Sequence, residues 1–368
     1  MDDDVKLLIL ELGRLLDHSV VVVLPFFMCL ALTQLLARLA PRLGLLDLPT
    51  DRKRHESATP LVGGIAIFAA MAISLVILSL SVSNLFLIAL TLALVVLGLL
   101  DDRYDLSAWI RLLVQIGITL SMVHFAGVSI SSLGNLFGNG QIVLSPLYGT
   151  ILTVMFAIGV INAINMVDGV DGLAGSLLLI SFASLAFVSV GSAQFLTAKA
   201  LFICTGTLLA FLCFNARVFV AKAEVFMGDA GSMALGFMML WFFVRLTQEP
   251  SAVLSPVAAG WIFGLPLLDT VVIIVKRLRE KRSPLSAGRD HFHHDLLDGG
   301  LSVNATVLTL TFLHALMALA GVWLNSHQQF ESLFFGGFVT LVLFDFLFRG
   351  QLIARLHKVT GQRSDRAT

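Results

Sequence analysis

Apolar runs of about 20 residues recur along the whole chain, each long enough to cross a hydrocarbon core of roughly 30 Å. Hydrophobic residues make up 57% and charged residues 13% of 368 positions, far from the balance of a soluble globule. The chain therefore reads as an all-α polytopic integral membrane protein. Runs bounded by charges and turn residues place eleven spans, at 19–37, 61–81, 84–100, 109–125, 148–166, 173–190, 197–214, 232–246, 256–275, 304–324 and 333–349.

The basic residues set the expected orientation. With the N-terminus outside, one face keeps only Lys6, Arg14, Lys199 and Arg245 of the 24 lysines and arginines, and the other face takes the rest. That asymmetry predicts an external N-terminus and a cytoplasmic C-terminus. The cytoplasmic loops are then 38–60, 101–108, 167–172, 215–231 and 276–303. Residues 126–147 lie outside, where Gly138-Asn139-Gly140 between Leu136-Phe137 and Ile142-Val143-Leu144 suggests a small hairpin. Residues 1–350 form one transmembrane catalytic domain, and 351–368 a basic cytoplasmic tail.

Net charge is zero, which gives no sign of nucleic-acid binding. Cys29, Cys204 and Cys213 all lie inside apolar runs, an arrangement for packing rather than a disulfide framework. The acidic start, Met1-Asp2-Asp3-Asp4, lacks the basic lead of a cleaved signal peptide, so the first span is expected to serve as an uncleaved signal.

Four polar clusters fall on the same predicted face, although almost 200 residues separate the first from the last. Asp101 and Asp102 end the third span, and adjacent carboxylates there stay ionised only beside a cation or solvent. A solvated helix end is the simpler explanation of that pair alone. Asn162, Asn165, Asp168 and Asp171 form a ladder at every third position, in which neighbouring pairs share a helix face. Amides inside an apolar run need a cavity or partners. Interhelical hydrogen bonding accounts for Asn162 but not for the two aspartates.

Phe226-Met-Gly-Asp-Ala-Gly231 opens the eighth span, where small residues leave room for a phosphate or a flat base. A helix N-terminus there offers N–H groups to an anion; equally, Asp229 or Ser232 caps the helix, and Phe226 is a boundary aromatic. His291, His293 and His294 follow a basic stretch from Lys276 to Arg289. Without thiolates the cluster is a poor zinc site, and the nearby acids favour a hard cation. Lys53, Arg54 and His55, ahead of Gly63-Gly64, add a fifth, basic cluster that also serves to anchor topology.

Acids for Mg²⁺, cations for phosphate oxygens and small residues for close approach together point to phosphoryl transfer, which is mostly positioning and charge neutralisation. A pyrophosphate meeting a phosphate costs roughly 4 kcal/mol per charge pair at about 4 Å and an effective dielectric of 20. The membrane setting makes at least one substrate a lipid. A cation-coupled transporter would also carry intramembrane acids and broken helices, but near the midplane rather than at one boundary.

The set Asp101-Asp102, Asn162-x-x-Asn-x-x-Asp-Gly-x-Asp-Gly-Leu-Ala174, Val225-Phe-Met-Gly-Asp-Ala-Gly-Ser232 and His291-Phe-His-His294 resembles the polyprenyl-phosphate N-acetylhexosamine-1-phosphate transferases, over about residues 20–325. Phe292 and the preceding Ser283-Pro-Leu-Ser286 are similar to the branch that makes GlcNAc-1-phosphate lipids for O-antigen and related envelope polysaccharides. The MurNAc-pentapeptide branch shows three consecutive histidines instead.

The resemblance implies transfer of GlcNAc-1-phosphate from a UDP-N-acetylhexosamine to undecaprenyl phosphate at the cytoplasmic face of a bacterial inner membrane, releasing UMP. FucNAc-, QuiNAc- or phospho-MurNAc-pentapeptide transfer is the alternative, and a homodimer goes with the same family picture. It implies Mg²⁺, with Mn²⁺ as a substitute, held by Asp229 and Asn165. Asp101, Asp102 and Asp168 take catalytic places. Asp171 and Phe226 correspond to a uracil pocket. Lys53, His55, Asn162, Arg289, His291, His293 and His294 correspond to substrate contacts.

Overall fold

The computed structural model describes residues 3–48, 58–283 and 288–360. Lys53 and His55 lie outside them. The order is α1 (Asp3–Leu43), β1 (Leu46–Asp47), β2 (Thr59–Pro60), α2 (Gly63–Leu78), α3 (Val82–Tyr104), α4 (Ala108–Ala126), α5 (Pro146–Val167), α6 (Leu173–Gly191) and α7 (Phe195–Asn215). Then follow α8 (Gly228–Thr247), α9 (Pro256–Ile262), α10 (Gly264–Arg279), α11 (Phe292–Asp298), α12 (Val303–Asn325) and α13 (Glu331–Thr360). The only paired strands among the described residues are the short antiparallel β1 and β2.

The all-α membrane architecture holds, with two departures from the eleven expected spans. Nine helices among the described residues are long and apolar enough to cross a membrane. The first departure is the span expected at 256–275, which is two helices, α9 and α10, meeting at 91°. Proline has no N–H, and its ring clashes with the carbonyl four residues earlier. Pro266 therefore releases the carbonyl of Ile262, where α9 ends. Ser181 Oγ donates to that freed oxygen at 2.9 Å, and His314 Nε2 lies 3.0 Å from the same hydroxyl. The second departure is α2, which keeps only 16 residues. At 1.5 Å per residue it is about 24 Å long, short of a full crossing, with strand β2 two residues before it and Ser79 ending it.

Helix α8 is the central post, with 89% of its apolar stretch buried, against 6% for α13 at the lipid-facing rim. It approaches its neighbours where they lack side chains. A Cβ on Gly64 of α2 would stand 2.2 Å from the backbone N of Gly231, and one on Gly98 of α3 would stand 2.3 Å from Ala230 Cα. The small residues of the Gly228–Gly231 segment thus serve backbone packing. They do not open a space for a phosphate or base, as their size alone had suggested.

One end of the bundle carries the expected hairpin. Leu133 N donates to Ile142 O and Leu144 N to Ser131 O. Gln248 Oε1 accepts from Ser131 N and Ser132 N, so the loop after α8 meets the hairpin. Glu331 Oε2 accepts from Asn135 N at 2.9 Å. The acid-bearing loops lie at helix ends alternating with these.

The α2–α8 contact leads to a test. Gly64→Ala is expected to destabilise the fold by about 1–3 kcal/mol, as overpacking against rigid backbone does. Gly117→Ala, on α4 with open space around it, is expected to leave the melting temperature unchanged or slightly raised. Thermal denaturation of both variants in one detergent measures the contrast.

Candidate active site

Asp102 sits in the last turn of α3, yet it caps a different helix. Its Oδ1 accepts from Asp229 N at 2.9 Å and its Oδ2 from Ala230 N at 3.3 Å, in the first turn of α8. The N–H groups expected to receive a ligand anion are therefore taken by this carboxylate. Gly228, at φ +70°, makes the tight entry: a Cβ there would come 2.7 Å from Asp102 Oδ2. Asp101 is also engaged. Its Oδ1 accepts from Leu106 N at 2.8 Å and its Oδ2 from Arg111 Nη1 at 2.7 Å, which fixes the turn between α3 and α4.

The polar ladder of α5 splits as its helical drift requires. Asn165 Nδ2 donates to Asp229 Oδ1 at 2.5 Å and lies 3.0 Å from Ser232 Oγ. One turn earlier, Asn162 Nδ2 donates to Gln115 Oε1 of α4 at 3.1 Å and to Ile158 O. Asn162 is thus a bond between helices and is turned from the acids. Asp171 Oδ2 accepts from Arg217 Nε at 2.8 Å and from Ala223 N at 3.2 Å, tying the α5–α6 loop to the α7–α8 loop.

Asp168 differs from these. It follows the last turn of α5, and its carboxyl makes no hydrogen bond or ion pair among the described residues. Burial first, then the charges of Asp229, Asp102 and Asp171, hold its carboxyl well above the usual carboxylate range. Asp229 stands beside Asp101 and Asp102 as well. The acids of three separate loops therefore face one another at one end of the bundle.

The histidine motif closes over this group. A Cβ on Gly169, next to Asp168, would come 3.0 Å from His293 Nε2. That nitrogen is buried and without a hydrogen-bond partner. Burial, then the neighbouring His294 and His291, push His293 down to about 3. Burial, then Arg289, push His294 down to about 4. Both rings are consequently neutral near pH 7. Arg289 is half-exposed and reaches Asp298 at 3.3 Å. Phe226 runs extended alongside β2: its N–H donates to Pro60 O and its carbonyl accepts from Gly63 N.

Several participants were missed by sequence reasoning. Asn215 is buried at the end of α7, accepts from Gly172 N at 2.7 Å and donates to Val225 O at 2.9 Å. It joins the Asp171 loop to the Asp229 segment. Asp269 and Arg349 hold His291 from below. For Asp269 the sequence does carry a signal, since a lone acid inside an apolar run needs a partner.

Among the described residues, no three histidine, cysteine, aspartate or glutamate side chains form a ready-made metal cage. The gathered carboxylates nevertheless suit a hard divalent ion, which typically takes one or two protein carboxylates and completes its shell with water and phosphate oxygens.

Fold and site together define a polytopic membrane protein with an acid-rich centre at one bundle end, roofed by neutral histidines. The profile of glycosyl transferase family 4 matches residues 84–247. The chain is 37% identical over 325 residues to an undecaprenyl-phosphate alpha-N-acetylglucosaminyl 1-phosphate transferase of Escherichia coli O157:H7, covering 88% of this chain and 87% of that protein. Proteins of the same description from Yersinia pestis and Haemophilus influenzae are 35% and 37% identical, covering 84% and 82% of this chain and 85% and 86% of theirs. This chain belongs to that glycosyl transferase family, as the resemblance in its motifs implied.

Asp168 supplies a prediction with a definite sign. Folding raises its pKa, so protonation favours the folded state, and stability falls as pH rises from about 3.9 through the folded titration. In EDTA at pH 8, Asp168→Asn is expected to melt a few degrees above the unsubstituted protein, with the gain shrinking toward pH 5. Equal melting temperatures at pH 8 would remove the repulsion described above.

Proposed function

We propose that this protein transfers an N-acetylhexosamine-1-phosphate, GlcNAc-1-phosphate first among the candidates, from a UDP-sugar to undecaprenyl phosphate. The relatives' names favour that sugar and acceptor. The single observation that carries the reading is the meeting of Asp229, Asn165, Asp102 and Asp168 at one end of a lipid-embedded bundle. A narrow, mainly apolar cleft lined by Val167, Leu177, Leu265 and Leu310 shares its wall with His293.

In the reaction, an oxygen of the lipid phosphate forms a bond to the sugar-bearing phosphorus of the UDP-sugar. The bond from that phosphorus to the bridging oxygen breaks, and UMP leaves with the electron pair. Mg²⁺, held by Asp229 and Asn165, would neutralise the pyrophosphate oxygens. The lipid phosphate's second pKa is about 6, so much of it is already dianionic near neutrality. Asp101 and Asp102 are committed to Arg111 and to the α8 N-terminus. Asp168, whose carboxyl has no partner among the described residues, is therefore the acid left to orient the acceptor phosphate. Asp171, Phe226 and the α7–α8 loop to which Asp171 is bonded form the nucleoside end, and the histidines with Arg289 meet phosphate and sugar oxygens. Lys53 and His55 add the basic first loop.

The acid-rich end faces the cytoplasm in this reading, in a bacterial inner membrane, because the basic residues gather there. The 91° break between α9 and α10 would also suit a transporter. The acids named above, however, sit at helix ends: in the last turn of α3, after α5 and in the first turn of α8.

Purified protein given Mg²⁺, undecaprenyl phosphate and a panel of UDP-N-acetylhexosamines is expected to release UMP, and to stop when EDTA is added. Asp229→Asn is expected to lower turnover at least ~10³-fold, in the range seen when one electrostatic group is lost from a catalytic centre. Asp171→Asn is expected to raise KM for the nucleotide about tenfold, with kcat little changed. Full activity in both variants would sink the site assignment. A phosphorylated aspartate trapped without lipid would replace direct transfer by a two-step route.

A further inference from the structure

Asp269 is a buried carboxylate on α10, three residues beyond Pro266, and it receives three donors. His291 Nδ1 lies 2.9 Å from Oδ2, while Phe292 N and Arg349 Nη2 lie 3.1 Å and 2.9 Å from Oδ1. Arg349 comes from α13 at the rim of the bundle. It also pairs with Asp345, donates to the backbone oxygen of Asp290 at 3.1 Å and lies 4.9 Å from the Phe292 ring centroid. One guanidinium thus joins the last span to the start of the histidine motif.

Asp269 meets an imidazole, a backbone N–H and a guanidinium, the set of donors that a carboxylate, which only accepts, takes. His291 must then donate its Nδ1–H, which leaves Nε2 as the ring nitrogen directed away from Asp269. A carboxylate behind an imidazole fixes both its tautomer and its ring direction. The His291 ring lies parallel to that of His293, with centroids 5.6 Å apart and an interplanar angle of 7°, and His293 covers Gly169 beside Asp168. The orientation set at Asp269 is therefore passed on, ring to ring, toward the acid cluster.

We propose that Asp269 and Arg349 are positioning residues for the transfer reaction, fixing His291 in its Nδ1–H tautomer and holding the histidine motif in register with the acids. The proposal rests on the phosphotransferase reading above. It gives α13, which packs little against the bundle, a reason to end beside the site: it delivers the guanidinium that pairs with Asp269. A network serving only to fold the loop would not depend on which nitrogen of His291 carries the hydrogen.

The experiment uses the full chain in lipid nanodiscs, with ¹⁵N-labelled histidine and a UMP-release assay. In the unsubstituted protein, the ¹⁵N spectrum of His291 is expected to show hydrogen on Nδ1 and a bare Nε2. Asp269→Asn is expected to move the hydrogen to Nε2 and to lower kcat about 10–100-fold, the range usual for a carboxylate behind a ligating histidine, with KM for the UDP-sugar within about threefold. His291→Gln is expected to lower kcat by itself. Adding Asp269→Asn to it should then cost less than about twofold more, because residues acting through one group are non-additive.

A bare Nδ1 in the unsubstituted protein overturns the proposal, as does full additivity of the two substitutions. If Asp269→Asn does not fold, the spectrum of the unsubstituted protein still decides. Unsubstituted protein that releases no UMP removes the reaction assignment instead, while its spectrum reports on the tautomer independently.

Discussion

The contact on which the rest of this structure depends is backbone against backbone around α8. In hydrocarbon there is little hydrophobic drive to bring helices together, so close approach and dispersion must hold them, and small residues permit both. Gly64 and Gly98 let α2 and α3 touch the first turn of α8 directly. That closeness puts Asp102 where it can receive the N–H groups of Asp229 and Ala230. Were α3 held off by even a methyl group, the cap would lengthen and Asp229 would lose its place beside Asn165.

The second constraint is charge. Several carboxylates meet at one end of the bundle, and most are tied down. Asp101 has Arg111, Asp171 has Arg217, and Asp102 has two backbone donors. These bonds join loops that are distant in the chain, so the acids double as fasteners. The carboxyl of Asp168 alone of the acids in these motifs stays unpaired among the described residues, and burial with its neighbours' charge raises its pKa. Local repulsion of this sort is usual where a site is shaped for a ligand that brings positive charge. The histidine roof balances it differently: its outer rings are neutral, and the compensating cation, Arg349, is set behind them.

Much of the architecture was legible because lipid imposes a simple rule on sequence. Ten of the eleven expected spans each fall on one helix, and the hairpin after α4 fell where its glycines indicated. The ninth span failed for a reason also written in the chain, since Pro266 deprives Ile262 of its partner. What could not be read was the answering hydroxyl, Ser181, which is 81 residues away from the carbonyl it satisfies. The site motifs were found, but their members were not equal. Asn162 and Asn165 look alike in sequence, yet a three-residue step rotates one to Gln115 and the other to Asp229.

The sequence by itself determined the class of fold, the places where polar loops interrupt the apolar runs, and the family to which the motifs belong. All of these are local, set by run length, residue type and spacing. Only the tertiary structure decided which polar atoms are spent on holding the fold and which remain free for chemistry. A hydrogen bond is a relation between two residues, and here its members are often about a hundred positions apart. Asp102 capping a helix that begins 126 residues later, and Arg349 reaching Asp269 from the last span, are settled by packing alone.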